Sequence, residues 1–170
     1  MGDYTRSTRE CSVSQVRPEL RRALEEYFQK NSLGELEAET LLCCETVSEK
    51  MEIGWLAALL GDKAEPLVYT AMLLTSTHLV WARGSQQTNI NVNAADLRFI
   101  RVKPFASLFI TDNGLEISGL LGNTKGVAMG YIGMGPEPIT QKFCDEVRQA
   151  INKINPPPAS KWPAWMGGGR

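Results

Sequence analysis

A chain of 170 residues, 43% hydrophobic and 22% charged, has material for one globular domain with a real core, plus extensions. Its net charge of −1 supplies no general pull toward nucleic acid or an anionic membrane. The four cysteines, Cys11, Cys43, Cys44 and Cys144, form no CxxC and share the chain with one histidine, so no metal or cofactor is expected. Reduced, mostly buried thiols point instead to a cytoplasmic protein.

Residues 1–16 are polar, lack the apolar stretch of a signal peptide, and read as a flexible arm. Gly2 invites N-myristoylation, but Arg6 stands where that pattern needs Ser or Thr. No apolar run approaches the ~18 residues of a membrane span. Residues 17–34 predict a helix: Pro18 suits the first turn, Leu20, Leu24, Tyr27 and Phe28 recur at helical spacing, and Gly34 is free to take positive φ at the stop.

Strand-like runs follow. The first is Leu41–Met51, and an apolar connection, Glu52–Glu65, leads to the second. That second strand, Pro66–Leu74, and the third, His78–Arg83, flank a short polar turn, Thr75-Ser76-Thr77. A fourth lies within Val92–Lys103, with Asn91, Asn93 and Asp96 marking turns around it. Pro104 is expected to break the run, since proline is unwelcome inside a paired strand. Phe105–Thr111 is the fifth, Asp112-Asn113-Gly114 predicts a type I′ hairpin turn, and Leu115–Leu121 and Val127–Met134 are the sixth and seventh. The last helix, Pro136–Ile154, carries a continuous apolar stripe of Ile139, Phe143, Val147, Ala150, Ile151 and Ile154. Asn155 and three prolines end it, leaving residues 155–170 as a Pro/Trp/Gly-rich tail.

Seven short strands in meander order and one amphipathic helix, over residues 41–154, resemble the pleckstrin-homology-like superfold. The hairpin AMLLTSTHLVWARG is similar to one in bacterial pleckstrin-homology-like and GRAM-like domains, the likeness resting on Leu73, Leu74, Thr75, Leu79 and Trp81. The resemblance implies an α+β fold: a seven-stranded, bent antiparallel sheet or partial barrel capped by the C-terminal helix, here with an extra N-terminal helix. Phosphoinositide-binding members gather Lys and Arg around the loop between their first two strands. Here Lys50 and Lys63 meet Glu49, Glu52, Asp62 and Glu65, a departure that argues against a phosphoinositide headgroup site.

Catalytic constellations are weak. His78 flanks a turn and has no distinctive partner in the sequence. Glu25-Glu26 and Asp145-Glu146 read as solvated helix faces, and the run Gly130–Gly135 lacks the Lys-Ser/Thr of a phosphate loop. No enzyme activity is expected. Arg83, Arg98, Arg101 and Lys103 form a candidate anion patch, although Arg98 is out of phase with Arg101 and Lys103. The sharper signals are apolar. Trp55, Leu56, Leu59 and Leu60 sit in a connection, where they would cover the barrel mouth, dock a protein, or enter a membrane interface. Trp162 and Trp165 follow a proline run in the tail, which suits docking into a groove as well as packing on the chain's own domain. These six residues predict a non-catalytic interaction module that binds a protein partner or a second copy of itself. The alternatives are a membrane-surface or lipid-binding domain, and a small-molecule site in the cavity of the curved sheet.

Overall fold

The structure, a computed structural model, describes residues 4–50, 67–85, 89–106, 113–121 and 127–156. In chain order the described elements are β1 (Tyr4–Glu10), a 3-10 turn (Val13–Gln15), α1 (Pro18–Asn31), α2 (Leu36–Glu39), β2 (Thr40–Lys50), β3 (Leu67–Thr75), β4 (His78–Ser85), β5 (Asn91–Asp96), β6 (Ile100–Ala106), β7 (Asn113–Leu120), β8 (Val127–Met134) and α3 (Pro138–Ile154). They build two antiparallel sheets, a five-stranded one in the order β1-β2-β3-β4-β5 and a three-stranded one in the order β6-β7-β8. Among the described residues the sheets do not close into a barrel, since no ladder joins β1 to β8 or β5 to β6. Among the described residues no helix is long and apolar enough to cross a membrane.

Alternation along each strand sends successive side chains to opposite faces, and both faces of the larger sheet are covered. One face presents Cys43, Ala71, Leu73, Val80, Ala82 and Ala94 to α1, whose buried stripe is Leu20, Leu24 and Phe28. The other presents Cys44, Met72, Leu74, Leu79 and Ala95 to Leu115, Ile117, Ile132 and Met134 of the smaller sheet and to Phe143, Cys144 and Val147 of α3. The result is a layered α+β architecture with two apolar cores on either side of one sheet.

Local chemistry fixes the ends of these elements. Pro18 opens α1, and Ser32 closes it in the left-handed region at φ 54°, with Leu33 N–H donating to Phe28 O at 3.0 Å. A buried carboxylate anchors the start of α1: Glu45, 2% exposed, accepts from Arg17 N–H at 3.1 Å and from Arg9 Nη2 at 2.7 Å. The Arg17 guanidinium lies 3.6 Å from the centre of the Tyr69 ring, a cation–π stack that holds the helix entry against β3.

Four expectations need correction. The flexible arm is in part a strand: Tyr4–Glu10 pairs with Lys50–Cys44 as β1, at one edge of the larger sheet. Its inward positions are Tyr4, Arg6 and Thr8, so apolar alternation is absent although strand alternation is present. The fourth predicted strand is two. The chain turns at Leu97–Phe99, where Asp96 accepts from Arg98 N–H at 2.9 Å, and passes from one sheet to the other. β6 then runs through Pro104, which pairs with Leu115. An edge strand tolerates proline because one of its sides needs no ladder donor. Finally, Asn113-Gly114 is no two-residue turn. Both residues lie inside β7, opposite Ala106 and Phe105, and Gly114 is required because a Cβ there would strike the Ile132 carbonyl. Residues 107–112, which include the rest of the predicted fifth strand and Asp112, lie outside the described residues.

Candidate functional site

The inner face of the larger sheet is divided by chemistry along its length. At the end nearest α3 the aligned inward residues are Leu42, Leu74, Leu79 and Ala95, then Cys44 and Met72, all apolar. The register then brings Thr46, Thr70, Arg83 and Asn91 into one row, and Trp81 beside Asn93 into the row before it. Arg6 and Ser48 continue the polar region onto β1 and β2. The smaller sheet and α3 cover the apolar half. The polar half opens into a cleft of about 410 Å³, closed on its far side by Tyr131, Ile132 and Gly133 of β8.

The described lining holds two arginines, Arg6 and Arg83, three asparagines, Asn89, Asn91 and Asn93, the hydroxyls of Ser48, Thr70, Tyr4 and Tyr131, and the indole of Trp81; it holds no carboxylate. Arg83 projects exposed from β4, while Arg6 is half-buried on β1, with its guanidinium 5.7 Å from the Tyr4 ring centre. Burial pulls Arg6 below its ordinary guanidinium value; nearby Tyr131 opposes that shift and the like charge of Arg83 adds to it. Burial likewise raises the Tyr131 phenol, which donates to Asn113 O at 2.9 Å and stacks edge-on against Phe105 at 4.8 Å. Gly133 is matched to Arg6, since a Cβ at this position would meet Arg6 Nε and Cζ. The described lining is therefore rich in donors and carries two guanidinium groups between aromatic walls.

The four residues of the candidate anion patch do not gather in one place. Arg83 lies in the cleft. Arg98 pairs with Asp96 at 2.6 Å, beside the turn between the sheets. Arg101 lies with Arg98 and Arg148 along a groove between β6 and the end of α3. Lys103 pairs with Glu116 at 3.0 Å. Trp55, Leu56, Leu59, Leu60, Trp162 and Trp165, the predicted partner-binding residues, lie outside the described residues. His78 opens β4 beside the β3–β4 turn, its Nδ1 2.8 Å from Thr77 Oγ1, at the opposite end of the strand from the cleft. Among the described residues no cluster of His, Cys, Asp and Glu could hold a metal ion.

Sequence reasoning missed Tyr4, Arg6, Asn91, Asn93 and Tyr131 as a group. The usable signal was the alternation of polar residues, Tyr4/Arg6/Thr8 and Thr46/Ser48, at strand spacing. No protein-family model matches the chain, and no curated protein matches it.

Proposed function

We propose that the protein is a non-catalytic binding module whose inter-sheet cleft takes a small polar anion, a carboxylate or a phosphate. The observation that carries this reading is a cleft of about 410 Å³ with two arginines and no carboxylate along its described lining. An anion there gains charge-assisted hydrogen bonds from Arg83 and neutral ones from Asn91, Asn93 and the Trp81 indole. The same lining pairs no nucleophile with a base, which supports binding rather than turnover. The reading develops the small-molecule alternative over the protein-partner one. It also keeps the pleckstrin-homology-like assignment as a proposal, supported by the seven strands β2–β8 followed by α3, with β1 and α1 as additions.

The test is a titration of succinate and of inorganic phosphate, each at constant ionic strength, followed by side-chain and backbone NMR shifts. Shifts concentrated at Trp81, Arg83, Asn91 and Asn93, and a loss of affinity of about tenfold or more in Arg83→Ala, are expected. The ligand that saturates at lower concentration separates carboxylate from phosphate. Shifts scattered over surface lysines and indifferent to Arg83→Ala would overturn the reading.

A further inference from the structure

Cys11 follows β1 directly and extends its pairing by one step: its N–H donates to Cys43 O at 3.1 Å, beyond the Glu10–Cys44 pair. The two Sγ atoms lie 3.7 Å apart. Both thiols are free, Cys11 9% and Cys43 4% exposed, and both line a surface cavity of about 330 Å³ bordered by Glu10, Ser12, Glu37 and Leu41.

We propose that Cys11 and Cys43 are a peroxide-oxidisable dithiol that closes to an intramolecular disulfide and fastens β1 to β2. Opposed residues of antiparallel strands have Cα atoms about 4.5–5.5 Å apart. That falls inside the roughly 4.4–6.8 Å a disulfide spans, so modest side-chain rotation brings sulfurs now 3.7 Å apart to bonding distance of about 2.05 Å. Competing partners are badly placed. Cys44 neighbours Cys43 but points to the opposite face, where it packs in the core that contains Cys144.

Exposure and charge divide the roles: Cys11 is 9% exposed against 4% for Cys43, and the Arg9 charge lies near it. The hydrogen bond with Cys43 lowers the Cys11 pKa, with help from the Arg9 charge and against burial and the nearby Glu45 and Glu10 carboxylates; Cys43 itself is pushed far up by the same hydrogen bond and by burial. Cys11 is thus the attacking thiolate. Its sulfur takes one oxygen from hydrogen peroxide as the O–O bond breaks, giving a sulfenic acid and hydroxide. The hydroxide takes the Cys43 proton, the Cys43 sulfur attacks Cys11, the S–S bond forms, and the S–O bond breaks with loss of a second hydroxide, which gains the proton first lost by Cys11. Two thiols and one peroxide become one disulfide and two waters. The cavity gives the oxidant a route to sulfurs that are otherwise covered. This proposal stands apart from the anion reading of the cleft.

The test treats the full chain with dilute hydrogen peroxide, denatures it in an alkylating agent, and maps cysteine peptides without reduction. Alkylatable thiols should fall from four to two, with a Cys11–Cys43 linked peptide about 2 Da lighter than its reduced pieces, and dithiothreitol should restore all four. In Cys43→Ala, dimedone should trap a sulfenic acid on Cys11. Four alkylatable thiols after peroxide, or linkage through Cys44 or Cys144, would overturn the proposal. The wild-type map decides the matter even if the variant does not fold.

Discussion

The backbone N–H of Gly135 donates to Thr8 Oγ1 at 2.7 Å, joining residues 127 positions apart in the chain. The same hydroxyl lies 2.7 Å from Thr46 Oγ1, Thr8 N–H donates to Glu137 Oε2 at 2.9 Å, and Thr140 Oγ1 donates to Gly135 O at 2.7 Å. One small polar chain thereby ties β2, β1, the end of β8 and the first turn of α3. It stands where a ladder between the two sheets is missing, and it fixes the strand that carries Tyr4 and Arg6 into the cleft.

Thr8→Val keeps the shape and removes the hydroxyl. Thr46 is wholly buried and Gly135 N–H is also out of solvent, so both lose a partner inside the protein. Leaving such groups unsatisfied costs about 1–3 kcal/mol, and urea unfolding of Thr8→Val should show a loss within that range. A change below about 0.5 kcal/mol would show that the two sheets do not depend on this link.

Glu45 bears on α1 in a similar way. Its buried carboxylate accepts from Arg9 Nε and Nη2 at 3.2 and 2.7 Å and from Arg17 N–H at 3.1 Å, while the Arg9 and Arg17 side chains are 56% and 40% exposed. Exposure of the cations screens the pairing, so Glu45→Gln should cost about 1–2 kcal/mol rather than the larger penalty of a fully buried pair. Arg9→Ala should cost less, since Arg17 N–H still satisfies the carboxylate. Equal losses in the two variants would place the whole effect in the Arg9 pair and none at the helix start.

Much of the fold was legible because apolar spacing reports what is buried. Leu20, Leu24 and Phe28 mark the inner face of α1, Phe143 and Val147 that of α3, and the run from Leu67 to Ser85 gives a hairpin close to its observed bounds. The cleft was illegible for the same reason. Tyr4, Arg6, Ser48, Asn91 and Asn93 face inward yet are polar, so apolar alternation marks neither β1 as a strand nor the asparagines as inward positions. Pro104 and Gly114 misled for another reason: one owes its place to a sheet edge and the other to a crowded carbonyl, and neither relation exists until strands pair.

The turn between the sheets predicts an acid dependence. Arg98 hydrogen-bonds to the Asp96 carboxylate through its side chain and its N–H, and the side-chain bond is the main reason the Asp96 pKa is lowered, against partial burial. A carboxyl with a folded pKa below its unfolded one contributes stability that is complete above the unfolded value, near 3.8, and disappears as pH falls through the folded value. Urea midpoints measured from about pH 6 down to pH 2 should therefore decline in the wild type, and Asp96→Asn should decline less over the same window. Parallel profiles would mean that other carboxyls account for the acid sensitivity.

Gly133 offers a way to alter the cleft without removing a charge. A Cβ there meets the Nε and Cζ atoms of Arg6, at the flexible end of a long side chain, so Gly133→Ala should be accommodated by shifting Arg6 rather than by parting the strands. The expected stability loss is about 1 kcal/mol or less. The Arg6 Nε–H signal should move, and binding of the succinate or phosphate probe should weaken, because the Arg6 donors are displaced from their place in the cleft. Arg6→Lys, which keeps the charge but lacks the planar fork, should weaken the probe too without crowding β8. Full probe affinity in both variants, with a folded spectrum, would remove Arg6 from the site and leave Arg83 as its only cationic contact among the described residues.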